Sequence, residues 1–144
     1  MNIRTANYKD APAIRQLLEA LGYKTTISLL ITQLEKLHGQ KDHEIVVCEL
    51  DKEIRGFISV HYLPQLGFDG ELAIITYLSV EEGINNMGIG KELEQYVVIQ
   101  ALKRKCDRIQ VQCMDWRTRE HAFFEQQGYR EYPKYYTKRL VYAE

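Results

Sequence analysis

The stretch that decides the fold is Leu78-Ser79-Val80-Glu81-Glu82-Gly83-Ile84-Asn85-Asn86-Met87-Gly88-Ile89-Gly90-Lys91-Glu92-Leu93. Its first residues close an apolar run, 72–80 (Leu-Ala-Ile-Ile-Thr-Tyr-Leu-Ser-Val), which predicts a strand at the centre of a sheet. Its last residues open 90–105, where Leu93, Tyr96, Val97, Val98, Ile99, Ala101 and Leu102 cover much of a helical circumference and predict a long, well-covered helix. Between them lies a loop rich in Gly and Asn. The first N–H groups of a helix have no partners inside it, and its dipole puts partial positive charge there. Glycine lets a backbone approach an anion with no Cβ in the way. A strand, a glycine loop and a helix start together form a ready phosphate or pyrophosphate site.

Working outward, 3–6 reads as a short strand, and Asp10 with Pro12 reads as the cap and first turn of a helix. That helix carries Ile14, Leu17, Leu18 and Leu21, and Gly22 stops it. A second helix is predicted over 26–38, with Ile27, Leu30, Ile31, Leu34 and Leu37 on one face. Strands at 44–50 and 54–63 flank a turn at 51–53 and form a hairpin, and 64–70 is a loop. Past the long helix come a strand at 108–114, a helix at 117–127 ended by Gly128, and a final strand at 135–142. The order β-α-α-β-β-β-α-β-α-β predicts one domain over 1–144, of the mixed α/β (α+β) class, with a central mixed sheet and helices on both faces.

Composition agrees. The chain has 144 residues, 45% of them hydrophobic and 27% charged, which excludes disordered, collagenous and disulfide-scaffold classes. A net charge of -1 leaves no electrostatic footprint for nucleic acid. Basic residues number 9 against 14 acidic over 1–100, and 10 against 6 afterwards, a modest C-terminal excess that suits an anionic ligand. No apolar run approaches the ~20 residues of a membrane span, and the start carries no apolar signal core, so a cytoplasmic protein is expected. Cys48, Cys106 and Cys113 show no metal-ligand spacing and read as buried reduced thiols, so no metal is expected.

Two phosphate loops fail on inspection. The P-loop of NTPases needs Gly-Lys-Ser/Thr where Gly88 is followed by Ile89 and Gly90. The dinucleotide fingerprint needs a third glycine where Leu93 stands. The segment instead resembles motif A of the GNAT superfamily of acetyl-CoA-dependent N-acyltransferases, Arg/Gln-x-x-Gly-x-Gly/Ala after a strand ending in Val. Val80 fills the strand end, and Gly88, Ile89 and Gly90 fill the core. The element order fits, as do Phe123-Phe124-Glu125-Gln126-Gln127-Gly128-Tyr129 and Tyr136-Thr137-Lys138-Arg139-Leu140. Three positions depart from the family. Asn85 stands at the basic or Gln position, Phe124 at the Tyr that protonates the leaving thiolate, and Thr76 where many members carry a Glu base.

The resemblance implies transfer of an acetyl group from acetyl-CoA to a primary amine of a small molecule, peptide or protein, directly within a ternary complex. It implies that Leu78 and Val80 pair their backbones with the pantetheine arm, with the Leu78 N–H as oxyanion donor. It assigns Asn85, Asn86, Met87, Gly88, Ile89, Gly90 and Lys91 to the cofactor's phosphates. Arg117, Glu120 and Phe124 share one helix face. In the family that face lines the cofactor, so Arg117 and Phe124 join the binding residues. Such chemistry requires a neutral amine, a donor for the oxyanion and good positioning. A thiol with a pKa near ~8.5 leaves without compulsory protonation.

For the base, Glu71 and Asp69 precede the strand and Tyr77 lies in it. A carboxylate there attracts or relays the proton of a cationic amine, or else belongs to a solvated acidic loop. His38, His43, His61 and His121 read as surface or hydrogen-bonded histidines rather than catalysts. Asp115-Trp116 reads as a turn and a core anchor. Tyr129 and Tyr136 are outside candidates for a substitute acid. Two rivals stand beside the enzyme: a catalytically weak acyl-CoA-binding or protein-interaction module on the same fold, and a ligand-free structural subunit. The expected partners are acetyl-CoA and an amine acceptor, with no nucleic acid and no membrane. A homodimer stays open.

Overall fold

Strand β1 (Asn2–Thr5) runs antiparallel to β2 (His43–Leu50), and β2 turns back into β3 (Glu53–Leu63) through Asp51 and Lys52, both at positive φ (54° and 66°). Two consecutive left-handed residues give the twist that a two-residue hairpin needs. The computed structural model describes residues 1–83, 88–112, 118–131 and 136–142, with backbone alone at 118–119. It falls into two compact units, Met1–Gln112 and Cys113–Glu144.

In the first unit, β4 (Leu72–Val80) lies antiparallel to β3, and β5 (Arg108–Val111) lies parallel to β4, giving the order β1-β2-β3-β4-β5. The bounds of β4 are those expected, but its place is fourth of the five described strands and β3 is the middle one. The parallel step requires a crossover, supplied by α3 (Ile89–Lys103). Helices α1 (Ala11–Ala20) and α2 (Ile27–Leu37) cover the opposite face.

Alternation along each strand sorts the core into two layers. Val46, Cys48, Ile58, Val60, Tyr62, Ala73 and Ile75 meet Ile89, Leu93, Val97 and Ala101 of α3. Val47 and Phe57 meet Ile14, Leu17, Leu18 and Leu34 of α1 and α2. Burying each large aliphatic side chain of the α3 stripe stabilises the fold by roughly 1.5–3 kcal/mol. The stripe is narrower than the sequence suggested: Ile99 and Leu102 are 50% and 73% exposed, because α3 meets the sheet along one side only. The helix ends where Lys105 adopts φ 59° and the Cys106 N–H closes back on the Ala101 carbonyl at 2.9 Å.

Thr26 caps α2, its hydroxyl accepting from the Leu29 N–H at 3.1 Å. Asp10 does not cap α1 with its side chain. A 3₁₀ turn, Tyr8–Asp10, precedes the helix, and Asn7 caps that turn. The Asp10 carboxylate is committed elsewhere, accepting from the Asn7 N–H at 2.9 Å and from both Arg4 terminal nitrogens at 2.8 Å. Burial raises the pKa of that carboxyl, but Arg4 and the Asn7 N–H outweigh burial and hold it below the usual range.

In the second unit, α4 (Thr118–Gln126) is closed by Gly128 at φ 94°, with the Tyr129 N–H on the Phe124 carbonyl at 3.0 Å. The strand expected at 135–142 is not found at 136–142. Alternating apolar residues make a strand only where an edge pairs with them, and this segment carries no ladder among the described residues, with Tyr136 and Val141 95% and 92% exposed.

Candidate active site

The β3–β4 register contains one irregularity. Ser59 faces Tyr77 and Val60 faces Ile75, so Thr76 is an extra residue on β4. The bulge reverses the alternation: Ala73 and Ile75 point to α3 before it, and Leu78 and Val80 after it. It also marks where β4 and β5 part, since the last parallel pair is Ile75 with Val111.

The backbone beyond the bulge can be assigned group by group. The Glu81 N–H donates to the Arg55 carbonyl at 2.7 Å. Antiparallel ladders alternate between bonded and non-bonded pairs, so Ser79 and Tyr77 also face β3. Leu78 and Val80 therefore direct N–H and C=O to the other side, where β5 no longer runs beside them among the described residues. The result is a short open strand edge of the kind that an extended, amide-bearing ligand can join.

That edge leads toward the start of α3. Gly88 is the N-cap at φ 73°, a left-handed geometry that glycine adopts without strain, and among the described residues no side chain caps the helix. A Cβ built on Gly88 meets nothing within 4 Å. The Glu92 N–H makes the first return bond, to the Gly88 carbonyl at 2.9 Å, so the N–H groups of Ile89, Gly90 and Lys91 are the uncapped donors of the first turn. Ile89 itself is 2% exposed and anchors this turn in the core. The anchor is tight: a Cβ on Gly56 of β3 would lie 2.9 Å from Ile89 Cγ2. Among the described residues, a helix start with uncapped N–H groups and a strand edge left unpaired beyond Ile75 fit a phosphate-bearing ligand with an amide-containing arm.

The other sequence candidates are placed as follows. Glu71 does not stand near the Leu78 N–H. It precedes β4, seven residues before Leu78, or about 20 Å at the rise of a strand. Its Oε1 accepts from Arg104 Nε at 3.0 Å and lies 2.9 Å from the terminal nitrogen, while Arg104 also stacks on the Tyr62 ring at 3.9 Å. Glu71 thus ties the start of β4 to the end of α3, and its carboxylate, the candidate base or amine attractor, is engaged by Arg104. Tyr77 packs edge-on against Tyr23, with ring centroids 5.2 Å apart, and burial raises its pKa. Phe124 is 7% exposed, with Phe123 and Tyr129 rings at 5.3 and 5.5 Å. Asn85, Asn86, Met87, Asp115, Trp116 and Arg117 lie outside the described residues.

Sequence reasoning missed a buried polar chain. His43 Nε2 lies 3.0 Å from Ser59 Oγ, and Ser59 Oγ lies 3.1 Å from Thr76 Oγ1. Two of the histidines read as surface or hydrogen-bonded, His43 and His61, form a pair with ring centroids 4.1 Å apart. The hairpin spacing alone would set His43 against Val60; the register shift between Cys48 and Glu49 brings it to His61. Among the described residues no group of three or more His, Cys, Asp or Glu could hold a metal ion, and no helix is long and apolar enough to cross a membrane.

Comparison with known proteins places this geometry. The acetyltransferase (GNAT) family matches residues 11–129. Comparison with curated proteins finds no match. Among solved structures, a transcriptional regulator from Bacillus halodurans C-125 is 20% identical, with a TM-score of 0.83 over 96% of this chain and 99% of that one. An aminoglycoside acetyltransferase from an uncultured soil metagenomic sample is 22% identical, with a TM-score of 0.79 over 97% and 96%. A ribosomal-protein-alanine N-acetyltransferase from Brucella melitensis biovar Abortus 2308 is 17% identical, with a TM-score of 0.79 over 97% and 100%. These likenesses show a shared fold, and the match over 11–129 shows the family. The chain belongs to the acetyltransferase (GNAT) family.

Proposed function

We propose that this protein moves an acetyl group from acetyl-CoA to a primary amine of a small molecule, peptide or protein, by direct transfer in a ternary complex. One observation carries the reading: among the described residues, the Leu78 and Val80 backbone groups face away from β3 with no strand beside them, and the start of α3 eight residues on has no side-chain cap. Acetyl-CoA supplies a thioester whose carbonyl is open to attack by a neutral amine. The N–H groups of Gly88-Ile89-Gly90-Lys91 bind the pyrophosphate, aided by the helix dipole. Val80 pairs with the amides of the pantetheine arm. The Leu78 N–H donates to the oxygen that becomes anionic as the amine attacks, a contribution typically worth ~2.7–4 kcal/mol in acyl transfer. Asn85, Asn86 and Met87 complete the phosphate loop by their position in the sequence, and Arg117 and Phe124 join the cofactor residues on the resemblance alone.

Thr76, at the bulge, offers a hydroxyl already bonded to Ser59 and no carboxylate. That favours a second reading, an acyl-CoA-binding module with weak or no turnover. Calorimetric titration with acetyl-CoA, followed by turnover assays with aminoglycosides, polyamines and N-terminal peptides, decides between them. Binding with acetyl transfer is the expected result. Binding without transfer to any amine favours the module, and absence of binding overturns both readings.

A further inference from the structure

The bulge at Thr76 determines which amides the site can use. Along β3, Tyr62 turns its N–H to β2, bonding the Asp42 carbonyl at 2.8 Å, so the odd-numbered residues face β4. Below the bulge His61 pairs with Ile74 and Leu63 with Leu72. Carried on unbroken, that register would set Ser59 against Thr76, Phe57 against Leu78 and Arg55 against Val80. The Leu78 and Val80 amides would then be consumed by β3. The extra residue shifts the partners to Tyr77, Ser79 and Glu81 and leaves Leu78 and Val80 facing outward.

An added residue in a ladder leaves polar groups unpaired and invites the strand to slip back. Here side chains oppose that slip. Thr76 Oγ1 lies 3.2 Å from the Ser59 carbonyl and 3.1 Å from Ser59 Oγ, and Ser59 Oγ lies 3.0 Å from His43 Nε2. The chain of bonds crosses β4, β3 and β2; Ser59 and His43 are 4% and 5% exposed, which shields their half from solvent, while Thr76 is half-buried. In the slipped register Thr76 would sit opposite Ser59 as a bonded pair, so the Ser59 carbonyl would take the Thr76 N–H and the Thr76 hydroxyl would lose its bond to that carbonyl.

We propose that the His43–Ser59–Thr76 chain is a positioning device that pins the bulge and so holds the Leu78 and Val80 amides on the open edge. Its effect on turnover rests on the function proposed above, whereas its effect on the strand register does not. Burial and the neighbouring His61 keep His43 neutral down to about pH 4, so the chain is not disrupted by its protonation at any pH suited to amine acetylation.

The test uses the whole chain in three variants. Thr76→Val removes the hydroxyl at nearly constant shape, Thr76→Ser keeps it, and Ser59→Ala removes the hydroxyl that joins His43 to Thr76 while leaving the residue 59 carbonyl to Thr76. Amide hydrogen exchange at Tyr77 and Ser79 reports the register, and kcat with the acetyl-CoA KM reports the site. Thr76→Val and Ser59→Ala are expected to speed exchange at both amides by about tenfold, with Thr76→Ser at the wild-type rate. They should also lower kcat by about tenfold and raise the acetyl-CoA KM, because the register shift misaims the Leu78 oxyanion donor and turns the Val80 amide away from the pantetheine arm. Wild-type exchange at Tyr77 and Ser79 in Thr76→Val overturns the proposal, as does a Thr76→Ser protein that exchanges like Thr76→Val. A wild-type protein without acetyl transfer would overturn the function, and the exchange rates would still decide the role of the chain.

Discussion

Replacing His43 by Gln should flatten the acid limb of the stability curve. In the fold the His43 imidazole is 5% exposed, beside Ser59 and the His61 ring, with Asp42 close enough to oppose the trend. Burial and then His61 lower its pKa from 6.5 to about 4. Because the folded value lies below the unfolded one, the fold prefers the neutral ring. The associated stability is whole above about pH 6.5, declines as the unfolded chain takes up its proton, and is gone below about pH 4, where both states are protonated. At ~1.4 kcal/mol per pKa unit the full effect is about 3 kcal/mol, of which about 2 is lost by pH 5. Gln keeps an amide that can reach Ser59 and does not titrate. Urea unfolding of both proteins at pH 7 and pH 5 measures the difference. The wild type should lose about 2 kcal/mol more than His43→Gln between the two pH values. His61 titrates in both proteins, so its contribution largely cancels. Equal losses would show that His43 is not held neutral by its surroundings and would refute the reasoning.

Gly88→Ala places a methyl in open space at φ 73°, so the fold should lose about 1–2 kcal/mol while acetyl-CoA affinity falls at least about tenfold. Unchanged affinity by calorimetry in the folded variant would mean that this space does not receive the phosphates. Gly56→Ala brings a Cβ to 2.9 Å from Ile89 Cγ2 and 3.1 Å from the Ser79 carbonyl, and should cost about 1–3 kcal/mol in denaturant unfolding by lifting the first turn of α3. Glu71→Gln removes a half-exposed ion pair with Arg104 and should cost no more than about 1 kcal/mol, with kcat within about twofold of wild type. A collapse of kcat in that variant would restore Glu71 to the chemistry.

Elements whose signal is local could be read directly from the chain. The β4 bounds, the helix expected over 26–38, the turn expected at 51–53 and the glycine-led start of α3 depend on runs of a few residues, where side-chain periodicity and backbone freedom act. Family membership was legible for the same reason, since Val80 and Gly88-Ile89-Gly90 are adjacent in sequence. The tertiary structure decided the rest. A two-residue turn at 51–52 predicts His43 opposite Val60, and only the irregularity at Cys48/Glu49 shifts it to His61. The extra residue at Thr76 is invisible in an apolar run, because a bulge is defined by the partner strand. Glu71 looked free in a list of carboxylates until Arg104, 33 positions away, took its oxygen. The stretch 136–142 alternates like a strand but pairs with none among the described residues. Propensity and periodicity specify what a segment can become, whereas hydrogen-bond direction and charge pairing belong to two segments at once and are fixed only when the fold brings them together.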